Sequence, residues 1–172
     1  MRSEKIKNIA GKITVGAFTA AACFFLLADL PAVITNVNAD SGVDINQDTF
    51  PDEALREYVS KYCDKDHDDH LSEAEINATT KISVCDKNVK QLDGIEFFPA
   101  LKELYCYDNQ LTELNVSKNT ALTDLYCYKN QLTSLDLSND SSLETLYCSS
   151  NQLTSLDVSD NTALKYLGCS GN

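Results

Sequence analysis

A nine-residue phrase recurs four times in the C-terminal part of the chain, with a constant 21-residue period. The copies start at Leu101, Leu122, Leu143 and Leu164, and each reads Leu-x-x-Leu-x-Cys-x-x-Asn. A fixed period of this length is typical of one supersecondary unit stacked on copies of itself, because each unit has an apolar side that only its neighbours can cover. The sequence therefore predicts a solenoid.

The residues inside each repeat indicate how one coil is built. Apolar and polar residues alternate through Leu104-Tyr-Cys106 and the equivalent positions, which is the pattern of a half-exposed strand. Strands stacked in register form a parallel sheet, and the rest of each repeat is too short for a regular helix. We therefore expect an α/β fold by repeat class: a right-handed solenoid with a parallel concave sheet, little helix in the repeats and a small helical cap at the N-terminal end.

The repeat region is predicted to cover residues 81–172. Residues 101–172 are regular, but the last repeat is truncated, so we expect the chain to be part of a longer protein. Residues 81–100 form a degenerate repeat, in which Ile82-Ser-Val84 matches the Leu-x-Cys strand of the later copies. Its bulky apolar residues are expected to join the cap to the first regular coil; they are Ile95, Phe97 and Phe98.

Residues 50–80 are predicted to form the cap, because an open solenoid end would expose its core. Phe50-Pro51-Asp52-Glu53 begins a helix that should run to about Cys63, with Pro in the first turn and the acids at the positive end. A second, short helix is predicted from Ser72 to about Thr79. Residues 40–49 are polar and have no period, so we assign them to a linker.

Residues 1–39 have the pattern of a secretory signal peptide. A basic start leads into an uncharged apolar run over residues 13–28, and Val37-Asn38-Ala39 offers the small residues that a signal peptidase reads. An uncleaved membrane anchor and a lipoprotein with a lipidated Cys23 are the alternatives. We favour cleavage, because Asp29 and Pro31 end the apolar run early.

Charge limits the partners of the mature chain. Without the signal peptide it keeps ten basic and 24 acidic residues, a formal charge of −14. Such an acidic surface repels nucleic acid and anionic lipid. We therefore expect a mature chain that has no nucleic-acid partner and does not insert into a membrane after cleavage, and we expect it to be a monomer.

The cysteines are expected to be structural. One stands at the same repeat position in each coil, which predicts a column of buried, reduced thiols formed by Cys106, Cys127, Cys148 and Cys169. Side chains that point the same way from neighbouring parallel strands are badly oriented for a disulfide. Cys63 and Cys85 lie outside the column, and whether they form a bridge stays open.

The acidic segment from Asp64 to Glu75 fits the twelve-residue EF-hand loop. Calcium needs six to eight oxygen ligands, and this spacing supplies them from Asp64, Asp66, Asp68, the His70 carbonyl, Ser72 and Glu75. Asp69 stands where a left-handed backbone favours glycine, so we expect weakened binding. A solvated loop without an ion is the alternative. A single loop of this kind predicts structural calcium rather than calcium sensing.

Asparagines form a second column of the repeat, and tyrosines flank the cysteines. Asn109, Asn130, Asn151 and Asn172 should satisfy backbone groups at the coil corner, whereas Asn119 and Asn161 look like turn formers that Asp140 can replace. Five tyrosines should project from the concave sheet: Tyr105, Tyr107, Tyr126, Tyr128 and Tyr147. They would either bind a ligand or only stack on one another and cover the sheet.

These residues resemble a leucine-rich-repeat array, and the 21-residue repeat with cysteine in its strand is similar to the cysteine-ladder, internalin-like surface proteins of Gram-positive bacteria. The array covers residues 82–172. Phe50-Pro51-Asp52-Glu53, followed by a calcium-type loop, also resembles the N-terminal caps of such proteins. The resemblance implies a secreted or wall-attached scaffold that binds a protein or a glycan.

No catalytic constellation is evident, so we do not expect an enzyme. The only histidines, His67 and His70, lie in the acidic loop, and the column of thiols has no histidine or cationic partner. Two other functions stay open. The repeats could be a non-catalytic accessory or spacer module of a longer secreted enzyme, or a purely structural stalk.

Overall fold

The computed structural model describes residues 41–172, and the predicted signal peptide lies outside them. Two helices, α1 (Glu53–Tyr62) and α2 (Glu73–Ala78), occur in the cap, together with two short strands, β1 (Val43–Asp44) and β2 (His70–Leu71). The five remaining strands belong to the repeats: β3 (Lys81–Ser83), β4 (Glu103–Tyr105), β5 (Asp124–Tyr126), β6 (Thr145–Tyr147) and β7 (Tyr166–Gly168). None of the helices in residues 41–172 combines the length and the apolar character needed to cross a membrane.

The segment predicted as a linker is an ordered part of the cap, and this prediction was wrong. Strand β1 pairs antiparallel with β2, so that Val43 is opposite Leu71. The following turn is closed by the Asn46 side chain, whose Oδ1 accepts hydrogen bonds from the backbone N–H groups of Asp48 and Thr49. Because β1 is so short and its partner lies beyond α1, the pairing leaves no periodic pattern in the sequence.

Side-chain caps fix where both cap helices begin. Asp52 is the N-cap of α1, and its carboxylate accepts from the N–H groups of Ala54 and Leu55. Pro51 therefore precedes the helix, rather than lying in its first turn as predicted. Ser72 and Glu75 form a capping box at the start of α2, in which each side chain accepts from the backbone N–H of the other.

Strands β3 to β7 form one parallel sheet in chain order, which confirms the predicted solenoid with little helix. The leucines are in register along the sheet: Leu104 is opposite Leu125, which is opposite Leu146. Ile82 is opposite Leu104, as the degenerate repeat predicted. A short 3-10 helix, Ile95–Phe97, is the only helical turn within residues 81–172.

One hydrophobic core runs through the cap and the coils. Its leucine and cysteine columns are buried from Leu101 to Cys148. Phe50 joins the cap to the first coil, because its ring lies 6.0 Å from that of Phe97 and 6.2 Å from that of Phe98 between centroids. Gly94 has a φ of 107° and lies against the same ring, where a Cβ atom would collide with it.

The last coil departs from the predicted burial. Leu167 is 46% exposed, and Cys169 and Asn172 are exposed as well. The equivalents of the first two in the preceding coil, Leu146 and Cys148, are fully buried. The difference follows from stacking, because no further coil of the described chain covers the apolar side of β7.

Candidate functional sites: the tyrosine face and the acidic loop

Five tyrosines form two stacked columns on the solvent side of the sheet, which we call the tyrosine face. In the first column the ring centroids of Tyr105 and Tyr126 are 4.8 Å apart, and those of Tyr126 and Tyr147 are 5.1 Å apart, with planes within 15°. In the second, Tyr107 and Tyr128 are 4.6 Å apart and within 6° of parallel. The coil spacing of a parallel sheet is close to the separation of stacked rings, so the repeat builds both columns.

The outer ends of the first column are covered. The Lys81 ammonium lies over the Tyr105 ring, 4.5 Å from its centroid, and also pairs with the Glu103 carboxylate at 2.9 Å. At the other end the Tyr147 ring leans over Gly168, where a Cβ atom would lie 2.5 Å from the ring. Partial burial and the hydrogen bond to Glu103 raise the pKa of Tyr105. Its hydroxyl is therefore protonated at neutral pH and can act as a hydrogen-bond donor.

Stacking decides which part of each ring can meet a ligand. Because the inner rings cover one another's faces, the tyrosine face presents ring edges and hydroxyl groups to solvent. Ring edges carry partial positive charge, and phenol groups both donate and accept hydrogen bonds. The sequence left stacking and ligand binding as alternatives. The rings do stack, and stacking leaves a polar, preformed surface.

A residue in the left-handed backbone conformation follows each strand segment beside the tyrosine face. These residues have φ between 53° and 72° and stand at equivalent positions of the coils: Asp86, Asp108, Lys129, Ser150 and Gly171. The backbone turns there out of the sheet, and every one of these residues is exposed. The sequence pattern does not reveal this column, because its members share a backbone conformation and not a residue type.

The first asparagine column holds neighbouring coils together. The Asn130 amide donates to the carbonyls of Cys106 and Cys127, both at 3.0 Å, and its oxygen accepts from the Leu111 N–H. Asn109, Asn151 and Asn172 form equivalent bonds. Each side chain thus satisfies backbone groups of its own coil and of the preceding one.

The residues of the second column form turns, as predicted, because the N–H groups of Asn119, Asp140 and Asn161 each donate to the carbonyl three residues earlier. The asparagine side chains have a further role that the sequence did not predict. Asn119 and Asn161 are buried, and each amide donates to two backbone carbonyls of the preceding coil. Asp140 occupies the same column, fully buried, but neither carboxylate oxygen has a hydrogen-bond partner. Asp140 therefore replaces the asparagines in the backbone turn, but in its ionised form it cannot donate the side-chain hydrogen bonds that they make.

All cysteines of residues 41–172 are free thiols, including Cys63 and Cys85, for which the sequence left a bridge open. Burial raises the pKa of Cys106 far above its ordinary value and that of Cys148 to about 11. A thiol that stays protonated is a poor nucleophile and a poor metal ligand. The buried part of the cysteine column therefore packs as apolar core.

In the acidic loop, one carboxylate organises the backbone while two others face solvent. Asp64 is fully buried, and its two oxygens accept from the N–H groups of His67 at 2.7 Å and Asp69 at 3.1 Å. Oxygens of Asp64, Asp66 and Asp68 lie within 4.8 Å of one another. Local desolvation and the negative charges of Asp68 and Glu75 raise the pKa of Asp66.

Glu75 closes the loop from the side of α2. One of its oxygens accepts from the Lys65 N–H, and the other from the Ser72 N–H and hydroxyl. These hydrogen bonds lower the pKa of Glu75, so it is ionised at neutral pH. Asp69 has a φ of 63°, the left-handed conformation expected at its position. The predicted ligands are thus assembled around one loop, with His70 in β2.

Comparisons with known proteins identify similar solved structures from one bacterium, Listeria monocytogenes. No family model and no curated protein matches the chain. Among solved structures, the functional domain of InlJ from Listeria monocytogenes, which includes a cysteine ladder, is 35% identical with a TM-score of 0.69; the match covers 75% of this chain and 28% of that one. An internalin, InlF, from the same organism is 27% identical with a TM-score of 0.67, covering 74% of this chain and 39% of that one.

A third similar structure is internalin C2 of L. monocytogenes, at 25% identity and a TM-score of 0.58, covering 76% of this chain and 69% of that one. The chain thus spans well under half the length of the first two structures. The InlJ domain is similar to this chain in sequence and in fold, and it includes a cysteine ladder, as the stacked coils of this chain do. The protein is an internalin-like leucine-rich-repeat protein with a cysteine ladder.

Proposed function

We propose that the tyrosine face binds a polypeptide ligand, as the recognition surface of a secreted or cell-surface protein. One observation carries the proposal: two columns of tyrosines stand stacked on the solvent side of the sheet. Tyrosine is enriched at the energetic centres of protein interfaces. Stacking holds the rings in place before a ligand arrives, so binding costs little further side-chain entropy.

The arrangement of the rings favours a polypeptide over a glycan. A sugar ring binds an aromatic residue by lying on its face, and the face of Tyr126 is covered on both sides by its neighbours. Ring edges and hydroxyls suit the carbonyls and polar side chains of an extended peptide. Ion pairs flank the columns, with Lys129 and Asp108 2.8 Å apart, and supply charge of both signs.

Two triple variants separate the hydroxyls from the rings. Changing Tyr105, Tyr126 and Tyr147 together to Phe keeps the stack and removes only hydrogen bonding, so affinity should fall about tenfold or more. Changing the same residues to Ser should abolish binding. The probes are arrays of overlapping peptides from extracellular proteins and arrays of glycans. Binding of the wild-type protein to these arrays is measured first.

The matched control changes an exposed column away from the tyrosine face, Thr112, Thr133 and Thr154, to Ala. This variant should bind as the wild type does. Circular dichroism and thermal unfolding establish that each variant is folded. Undiminished peptide binding by a folded Ser variant, or binding to glycans alone, would overturn the proposal.

We also propose that the acidic loop holds a structural calcium ion through Asp64, Asp66, Asp68, the His70 carbonyl, Ser72 and Glu75. The fit rests on three carboxylates with oxygens within 4.8 Å and on Asp69 in the left-handed conformation that the loop requires. The ion would neutralise the crowded carboxylates between α1 and α2. Binding only the folded cap, it would stabilise the protein by mass action.

Calorimetry with calcium tests this second proposal. Asp66 and Asp68 are exposed, so changing both to Asn should remove binding and leave the fold intact. Asp69→Gly should tighten binding, because glycine takes a φ of 63° without strain. Calcium should raise the unfolding temperature of the wild type but not of the double variant. No heat at millimolar calcium would refute the site.

A further inference from the structure

The column of Asn119, Asp140 and Asn161 contains one residue that cannot do what its neighbours do. The Asn119 amide donates to the carbonyls of Ile95 at 2.7 Å and Phe98 at 3.0 Å. The Asn161 amide donates to the carbonyls of Leu137 and Asp140, both at 2.9 Å. Each amide thereby joins its coil to the preceding one.

By the 21-residue repeat, the carbonyls equivalent to these partners at Asp140 are those of Val116 and Asn119. An ionised carboxylate has no proton to donate and repels carbonyl oxygens, whereas a neutral carboxylic acid donates one hydrogen bond. Asp140 is 0% exposed, and both of its oxygens are without a partner. Leaving a buried charge unpaired is costly, so the native packing favours the neutral acid.

We propose that Asp140 is a proton-controlled joint of the solenoid. In the packed state its carboxyl is neutral and donates to a backbone carbonyl of the preceding coil, as the flanking asparagine amides do. Loss of the proton places an unpaired negative charge between the coils that begin at Leu101 and Leu122 and loosens their contact.

The electrostatic surroundings agree with this assignment. Burial, followed by the negative charge of Asp136, raises the pKa of Asp140 from 3.8 to about 7. Lys118 and Asp160 precede the column in the coils on either side, and both are exposed to solvent. Within residues 41–172 no lysine or arginine is buried, so no buried cation compensates the ionised form.

The sign of the pH dependence follows from the raised value. Between about pH 4 and pH 7 the folded protein holds a proton on Asp140 that the unfolded chain has released. The stabilisation of the folded state by the proton on Asp140 is complete below about pH 4 and is lost as the pH rises through about 7. Above about pH 7 it remains lost. The unfolding equilibrium constant should therefore rise by up to tenfold per pH unit within this window.

Urea unfolding of the wild type and of Asp140→Asn from pH 4 to pH 8.5 tests the joint. The amide of the variant donates at every pH, so the two unfolding midpoints should lie close together at pH 4 and separate as the pH rises to about 7. Above that pH the separation should be constant, with the variant the more stable. Parallel pH profiles, or a variant that is less stable at pH 8, would overturn the proposal.

A matched pair of variants isolates the neighbouring charge. Asp136 and Asp157 stand at equivalent repeat positions, and each accepts from the N–H of the serine two residues later. Asn115 forms the same bond, so asparagine preserves this turn. Asp136→Asn should move the transition of the pH profile to lower pH, because it removes a negative charge that keeps Asp140 protonated. Asp157→Asn should leave the transition in place, and equal shifts in the two variants would contradict the assignment.

Hydrogen exchange of backbone amides can show which contact between coils is weakened when Asp140 loses its proton. The Gln131 N–H donates across this joint to the Leu111 carbonyl at 2.8 Å, and the Gln152 N–H donates across the next one to the Leu132 carbonyl at 2.9 Å. At pH 8 the Gln131 amide should exchange faster in the wild type than in Asp140→Asn. The ratio of these two exchange rates should be larger for Gln131 than for Gln152. Equal protection of Gln131 in the two proteins would rule out a joint at Asp140.

Discussion

The cap and the repeat array are held together by different kinds of hydrogen bond. In the cap each bond has a geometry of its own, such as the Asp52 carboxylate at the start of α1 or the Glu75 carboxylate across the acidic loop. In the array one bond recurs once per coil, as Asn130 and Asn151 show. For a substitution in the array, the equivalent residue of the next coil can serve as a control. A contact in the cap has no equivalent elsewhere in the described chain.

The largest effect should come from the repeated bond. Asn130→Ala would leave the buried Leu111 N–H without a partner and take from the Cys106 and Cys127 carbonyls one of their two amide donors, at about 2–3 kcal/mol of the free energy of unfolding. Asn46→Ala in the cap removes two bonds at an exposed turn and should cost about 1 kcal/mol or less. Urea unfolding measures both. Equal costs would remove the distinction between the two regions.

An intermediate effect is expected where the cap meets the array. Asp52→Ala removes the N-cap of α1 and also the bond from the Lys90 N–H to the second Asp52 oxygen, at 3.0 Å. We expect a loss of about 1–2 kcal/mol. In the variant, far-ultraviolet circular dichroism of the cap helices should report an earlier transition than tyrosine fluorescence, to which the array contributes six of the eight tyrosines. Coincident transitions would show that the cap is coupled to the array without this contact.

The smallest effect belongs to the exposed ion pairs between coils. Lys165 and Glu144 are 2.8 Å apart, but their side chains are 60% and 45% exposed. Lys165→Ala should therefore change the free energy of unfolding by about 0.5 kcal/mol or less, and high salt should remove even that difference. A cost above about 1 kcal/mol would mean that surface charge, and not the asparagine column, joins the coils.

The period of the sequence predicted the leucine, cysteine and asparagine columns, because every coil repeats the same environment. It could not distinguish Asp140 from Asn119: both residues form turns, and only stacking shows that the position is buried beside carbonyls. Strand β1 was missed for another reason. Its partner, His70–Leu71, lies in a distant loop, and so short a strand leaves no pattern to read.

The tyrosines show how far a repeat can specify a surface. Their positions followed from the sequence, but their mutual contact depended on the distance between coils, which places the Tyr107 and Tyr128 rings 4.6 Å apart. The acidic loop is intermediate. Its spacing predicted a set of ligands, while the roles of Asp64 as a buried acceptor and of Glu75 in a capping box came only from the three-dimensional arrangement.

The left-handed column beside the tyrosine face has a consequence for how such a surface can diversify. Each coil requires only a backbone conformation there, and five coils meet it with acidic, basic, hydroxyl and glycine residues. These residues are exposed and form no part of the core. The rim of the tyrosine face can therefore change its charge coil by coil without disturbing the stack, which separates the evolution of specificity from the maintenance of the fold.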